Sequence, residues 1–589
     1  MSGDPETLIA QWGARTFVGS VLKLGAAVFV VLLPLGAGFE VGRFLLFEVL
    51  TPHVPYPIAG VLALGLLAST AFYLTARFVG RGRRGRTSGA ELGAASRSAR
   101  GGTHGTAHWG SGRDLVRPDG LVLGHQIRGR KPGPLLRYDG PGHALTVAPT
   151  RSGKGVGALV PNLLDHPGAV VVTDPKGENY AVTARRRRQL GADVQALDPF
   201  GVVGGAAAFN PLDALDPAGE DAVDDAALIA DMLVVSREGS GGTSEFFNNE
   251  ARALLSGLVL HVAAGERGPR RSLPRVRELL TLPPEEFAGL LKTMQKSKAA
   301  HGLVARAAAR LRQKGDKERA AVVSSAQSHT HFLDSPRMRR VLERSTFEFS
   351  ALKRPTFGLS VGADGALTPG RDEFAVRAGN GYLSLYLVLP PDRLDTYRGW
   401  LRLMIASALL STARTPGQPE ERVLFLLDEF AQLGRMDPVL RAYSLMAGYG
   451  VQLWAFLQDL SQLRGTYPDK WGTFLSNADV LQAFGTNDHE TAELLSKMLG
   501  DATVLSANAG QNRGTTTPIG MPSWNRGRTE GHSEAARPLL TPDEVRRLPP
   551  DEQLLFVKGA APVRARKVRY YADADFRGHH DPNPTLAAA

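Results

Sequence analysis

Ala148-Pro149-Thr150-Arg151-Ser152-Gly153-Lys154-Gly155 is the stretch on which the reading of this chain turns. An apolar run with the composition of a strand, residues 143–148, leads into it. Residues 156–164, patterned as a helix, lead out of it. Strand, Gly-containing turn, helix is the setting of a phosphate-binding loop. Such a loop aims backbone N–H groups at an anion, the helix N-terminus adds partial positive charge, and a lysine reaches the β- and γ-phosphates. Thr150, Arg151, Ser152, Gly153, Lys154, Gly155 and Val156 are therefore the candidate nucleotide contacts, with ATP as the expected nucleotide. The motif G-x-x-x-x-G-K-[ST] is met with two departures. Ala148 replaces the first Gly, and Gly155 replaces the Ser or Thr that would hold Mg2+.

Two further strand ends point to the same chemistry. Residues 423–427 are wholly apolar and run into Asp428-Glu429. Carboxylates at the C-terminal tip of a parallel strand lie in the crevice where ligands bind. Asp428 is the candidate Mg2+ ligand, and Glu429 the candidate to orient or deprotonate an attacking water. Gln458 ends a third apolar run. It is either a partner of the γ-phosphate or the water, or a satisfied polar residue at a sheet edge.

Around these points, short β-rich runs alternate with helical patterns, as in a parallel α/β sheet. Candidate strands are residues 143–148, 169–173, 194–197, 382–389, 423–427, 451–457 and 480–484. The alternation breaks over residues 211–352, where the pattern is helical: 225–235, 244–264, 284–296, 302–333 and 336–343. We expect an all-α domain inserted into an α/β domain made of residues 107–210 and 353–575. Residues 353–380 read as a loop or small hairpin, and 576–589 as a disordered tail.

The N-terminus has another texture. Residues 18–39 are apolar except for Lys23, and at 1.5 Å per residue they cover about 33 Å, one hydrocarbon thickness. Residues 57–76 carry no charge, and Arg77, Arg81, Arg83, Arg84 and Arg86 follow. The positive-inside rule puts that end in the cytoplasm, and two spans return the N-terminus there as well. Asp4, Glu6 and the second run argue against a cleaved signal peptide. Residues 1–80 thus read as a transmembrane hairpin, and 81–106, rich in Gly, Ser, Ala and Arg, as a flexible linker.

The chain has 589 residues, 43% apolar and 22% charged, as in folded proteins of two or three domains. Its formal charge of +11 suits a polyanion or a membrane surface without proving either. Cysteine is absent, so disulfides, Cys-ligated metals and thiol nucleophiles are excluded. The histidines show no metal-ligand spacing. No basic groove interleaved with aromatics is evident, so any grip on DNA would be on its backbone.

APTRSGKGVG (148–157), VVTDPKGENYAVTA (171–184), FNPLD (209–213), FFNNEARALLSGLVLH (246–261), AQSHTHFLDSP (326–336), LYLVLPPDRLDTYRGWLRL (385–403), LFLLDEFAQLG (424–434), AFLQDLSQL (455–463), FGTNDHETAELLS (484–496) and RPLLTPDEVRRLP (537–549) resemble the coupling proteins of type IV secretion and conjugation systems, the TraG-like branch. The resemblance covers nearly everything from the two spans to about residue 572. It implies a RecA-like P-loop NTPase domain with an inserted all-α domain behind a membrane hairpin in the bacterial inner membrane. It also implies a homo-hexameric ATPase using ATP and Mg2+, with Lys154, Glu429 and Gln458 catalytic and Asp428 on the metal. The implied partners are single-stranded DNA bound to its relaxase and the components of the secretion channel. Effector proteins as cargo, or a docking scaffold with little hydrolysis, are the alternatives. Asp174 is either a residue near the nucleotide or a structural turn. Arg435 and Arg441 are either arginine fingers for a neighbouring subunit or solvated. The basic run at residues 185–188 is either a DNA contact, a solvated face or the partner of an acidic neighbour across a subunit interface.

Overall fold

Near-continuous apolar runs make strands that must be covered on both faces, and such strands build the centre of the sheet. The structure is a computed structural model that describes residues 104–585 apart from 130, 236–241, 355–358, 362–366, 370–380 and 517–522. The strands are β1 (Leu121–Arg128), β2 (Lys131–Tyr138), β3 (His143–Val147), β4 (Val170–Asp174), β5 (Asp193–Leu197), β6 (Leu359–Val361), β7 (Leu367–Pro369), β8 (Leu383–Val388), β9 (Val423–Leu427), β10 (Val451–Leu457), β11 (Ala478–Ala483), β12 (Asp501–Thr516), β13 (Ser523–Pro538), β14 (Glu552–Val557) and β15 (Val563–Arg566). The 11-stranded main sheet runs β2-β1-β15-β14-β11-β3-β10-β9-β4-β8-β5. From β11 to β5 every pairing is parallel. From β11 back to β2 every pairing is antiparallel.

Alternate residues of one strand face opposite sides of a sheet, and the core divides accordingly. Val423, Phe425 and Leu427 of β9 join one apolar cluster. Leu424 and Leu426 join the other. On the first side lie the helices of residues 211–352: α3 (Ala222–Leu233), α4 (Gly242–Gly265), α5 (Leu273–Leu280), α6 (Pro284–Gln295), α7 (Leu303–Arg312), α8 (Asp316–Thr330) and α9 (Pro336–Leu342). They share that cluster with α10 (Leu394–Arg414) and with the sheet itself. Helices α1 (Val160–Asp165) and α2 (Glu178–Gln189) follow β3 and β4, and α11 (Asp437–Leu445) follows β9.

Several features depart from the expectation. The sheet is mixed: β1, β2, β14 and β15 extend it in antiparallel fashion. Pro132 and Pro134 fall in β2, an edge strand, where a sheet tolerates prolines. The helix expected over residues 302–333 is broken at Gly315, whose extended backbone caps α8. The linker's last residues are tied down, with Thr106 bridged to Ala502. The tail is not loose over residues 577–585. The Asp581 N–H donates to the Val182 carbonyl at 2.9 Å, Arg185 holds the Asp581 carboxylate at 2.6 Å, and Thr585 donates to Glu178 at 2.7 Å. Polar composition suggested disorder there, but α2 supplies a partner for each of these groups. The two expected membrane runs, 18–39 and 57–76, lie outside the described residues. Among the described residues no helix is long and apolar enough to cross a membrane.

Candidate nucleotide site at the strand tips

β3 is buried along its whole length. The chain leaves it with the Ala148 N–H bonded to the Leu457 carbonyl at 2.8 Å, then turns sharply. Arg151 has φ 63° and Gly153 φ 92°. A left-handed conformation costs a non-glycine residue about 1–2 kcal/mol. Arg151 therefore carries strain of the kind that marks ligand loops. The turn continues into a single π-helical turn, Gly155–Leu159, ahead of α1. Such widened turns occur often at functional sites. A Cβ built on Gly153 or Gly155 meets no atom within 4 Å, so the loop borders open space. The Ser152 hydroxyl is buried without a hydrogen-bond partner. Thr150 and Arg151 are exposed, and Val156 packs on a small apolar cluster beneath.

Strand order does the rest. β10 lies between β3 and β9, so Lys154 reaches over the end of β10 to the acidic tip of β9. Its Nζ is 3.1 Å from Asp428 Oδ1 and also contacts Glu429 Oε1. Gln458, at the end of β10, donates to Glu429 Oε2 at 3.1 Å. Lys154, Asp428, Glu429 and Gln458 thus form one cluster. Burial works to lower the Lys154 ammonium, but Asp428 and Glu429 outweigh it and hold the group above its ordinary range. Burial pushes the Asp428 carboxyl up, against the pull of Lys154. Glu429 has φ 52°, a second strained non-glycine residue. Strain at both the loop and the acidic tip argues for a shape held for a ligand.

Three partners are not apparent from sequence. Gln432 also donates to Glu429 Oε2, at 3.2 Å. Thr173 Oγ1 donates to the Asp428 carbonyl at 3.0 Å. Lys567 donates to the Ser152 carbonyl at 3.1 Å. Gln432 follows the acidic pair by three residues on a 3-10 turn, a spacing that could have flagged it. Nothing local flags the other two.

Other expectations resolve differently. Asp174 is buried and accepts the N–H groups of Asn179 (3.3 Å) and Tyr180 (2.8 Å), capping the start of α2. Burial pushes its carboxyl up to about 7, against those two donors. The basic run at residues 185–188 is not a uniformly solvated face. Arg187 is fully buried and donates to Ser384 Oγ at 2.9 Å and to the carbonyls of His166 and Gly168. Arg185 binds Asp581, and Arg188 donates to the Tyr180 hydroxyl. Arg435 pairs with Asp437 at 3.0 Å on the surface. Among the described residues no group of three or more His, Asp or Glu side chains could hold a metal. The carboxylates at this site are Asp428 and Glu429.

The family model for conjugative DNA transfer by type IV secretory systems matches residues 109–365 and 370–588. The chain belongs to this family. Relatives among the conjugative transfer proteins include the conjugal transfer protein TraG of Escherichia coli. It is 30% identical over 471 residues, 75% of this chain and 69% of the relative. Protein VirD4 of Agrobacterium fabrum (strain C58) is 28% identical over 498 residues, 80% of this chain and 67% of the relative. The plasmid coupling protein TrwB, solved in complex with ADP and Mg2+, superposes with a TM-score of 0.55 at 18% identity, over 79% of this chain and 94% of that one. At that identity the likeness is one of fold, the RecA-like α/β fold with its mixed sheet.

Proposed function

We propose that this member of the conjugative DNA transfer family is a coupling protein that spends ATP to move relaxase-bound single-stranded DNA into a secretion channel. The observation that carries the proposal is Lys154 held by Asp428 and Glu429, with Gln458 alongside. A lysine whose counter-charges among the described residues are the two carboxylates at the tip of β9 is poised to exchange them for phosphate. Nucleotide entry would draw Lys154 onto the β- and γ-phosphates and release Asp428 and Glu429 for their own tasks. The TrwB structure with ADP and Mg2+ supports the same ligands here.

The residues present fit the metal. Asp428 would hold Mg2+ through a carboxylate freed of Lys154, since Gly155 offers no hydroxyl. Bound Mg2+ neutralises charge on the β- and γ-phosphate oxygens. Glu429 would orient the attacking water and accept its proton, and Gln458 would hold Glu429 or the γ-phosphate by hydrogen bonds. The glycines at 153 and 155 leave room for the phosphates. The apolar runs at residues 18–39 and 57–76 support an inner-membrane anchor with the motor in the cytoplasm. The family supports a homo-hexamer, in which Arg435 or Arg441 would be available to a neighbouring site.

The test is ATP turnover by the full-length protein in detergent, with and without single-stranded DNA, alongside Lys154→Ala. We expect DNA-stimulated turnover that the substitution abolishes without lowering thermal stability. Turnover that persists in Lys154→Ala would refute the proposal. Stimulation by secreted effector proteins and not by DNA would reassign the cargo.

A further inference from the structure

One buried cation at the loop has no role in the scheme above. Lys567 is the first residue after β15, so it comes from the antiparallel half of the sheet. It is only 9% exposed. Its Nζ donates to the carbonyl oxygens of Ser152 (3.1 Å) and Phe484 (3.2 Å) and lies 4.5 Å from the centre of the Phe484 ring. Its own N–H is fixed on the Asp551 carbonyl at 2.8 Å. Ser152 belongs to the phosphate loop, and Phe484 directly follows β11, with its N–H on the Val147 carbonyl of β3 at 2.9 Å. The seat has no slack. A Cβ on Gly157, in the first turn beyond the loop, would lie 3.2 Å from the Phe484 ring and 3.3 Å from the Val568 carbonyl.

Lys567 has no ion-pair partner among the described residues. A buried cation bonded only to carbonyls is costly to keep. Burial pulls its ammonium down to about 8; Asp551 opposes that pull, and Arg569 adds to it. The loop it grips is built to receive an anion. We propose that Lys567 is a positioning residue for nucleotide binding. It clamps Ser152 and Phe484 so that the loop stays in its anion-receiving shape, and its charge is balanced by the phosphates of the bound nucleotide. This deepens the nucleotide-site reading and rests on it.

The experiment is calorimetric titration of the full-length protein in detergent with Mg·ADP, comparing wild type, Lys154→Ala, Lys567→Met and Lys567→Arg from pH 7 to pH 9. At pH 7 we expect Lys567→Met to bind about tenfold or more weakly, and Lys567→Arg within about threefold of wild type. The sign with pH follows from linkage. Phosphates favour the charged lysine, so the bound state keeps a proton that the free state loses above pH 8 or so. Wild-type affinity should therefore fall as pH rises through about 8, and that of Lys567→Arg should stay level. Binding by Lys567→Met at wild-type strength overturns the inference. So does a weakened Lys567→Met paired with a level wild-type pH profile, which would make Lys567 a structural staple. If Lys567→Met does not fold, the wild-type and Lys567→Arg profiles decide alone. Wild type and Lys154→Ala binding equally poorly would overturn the nucleotide site itself, and this inference with it.

Discussion

Glu429 carries three interactions in a backbone conformation that costs it about 1–3 kcal/mol. It accepts from Lys154, Gln458 and Gln432. It therefore competes with an entering phosphate for Lys154. Glu429→Gln removes that competition and also removes the proton acceptor. Turnover should fall by roughly 10²–10⁴-fold, the usual worth of a general base. Affinity for ATP should hold or rise, as read by titration of the inactive variant. Weaker binding with turnover intact would show that Glu429 shapes the loop and does not act on water. Asp428, Glu429 and Gln458 could be picked from sequence because they end apolar runs, and strand ends gather where ligands bind; Lys154 could be picked from the Gly-Lys of the loop that follows one. Thr173 and Lys567 could not. Each bonds a backbone carbonyl, and a carbonyl leaves no mark on the sequence of the chain that supplies it.

The central strands were legible because each is apolar on both faces, as Val423–Leu427 is. The antiparallel strands were not. β1 carries Gly124, His125 and Gln126, and β2 carries two prolines, patterns that also describe loops. Tertiary partners make them strands. One such partner is Asp573, which binds the His125 side chain, while the other ring nitrogen of His125 meets the Gly133 carbonyl at 2.8 Å. Burial works to lower His125, but Asp573 raises it above its ordinary value. Burial works to raise Asp573, but His125 holds it below the usual carboxylate range. A raised histidine stabilises the fold fully below about pH 6.5, and that contribution is lost as pH rises through its folded value. The lowered carboxyl contributes above its ordinary range, and that contribution is lost in acid. The pair therefore works between those limits. Asp573→Asn should cost about 1–3 kcal/mol at pH 6 and clearly less at pH 9, as measured by urea unfolding. An equal cost at both pH values would show that the pair does not titrate in this way.

At the scale of the molecule, the question is whether residues 211–352 form a body of their own. Residues 102–589 make one compact unit. Within it, one apolar cluster runs from Phe425 and Leu427 of the sheet through Trp400 and Met404 of α10 to Ile229 of α3 and Leu258 of α4. Arg402 of α10 reinforces the join. It is 4% exposed and donates to the carbonyls of Met232, at the end of α3, and of Leu433 and Arg435, in the segment after Glu429. A domain with its own core should unfold by itself, whereas a shared core should not. We therefore expect residues 102–589 to unfold in urea in a single transition. Far-UV circular dichroism, dominated by the helices, should coincide with fluorescence from the buried Trp400 and Trp454. An early dichroism loss that leaves the tryptophans buried would show that the helical region is independent. Coincidence would mean that a load on these helices reaches the segment after Glu429 through packed side chains and Arg402. Arg402→Met should then separate the two signals, because it leaves three carbonyls, two of them buried, without their donor while removing no apolar contact from the sheet.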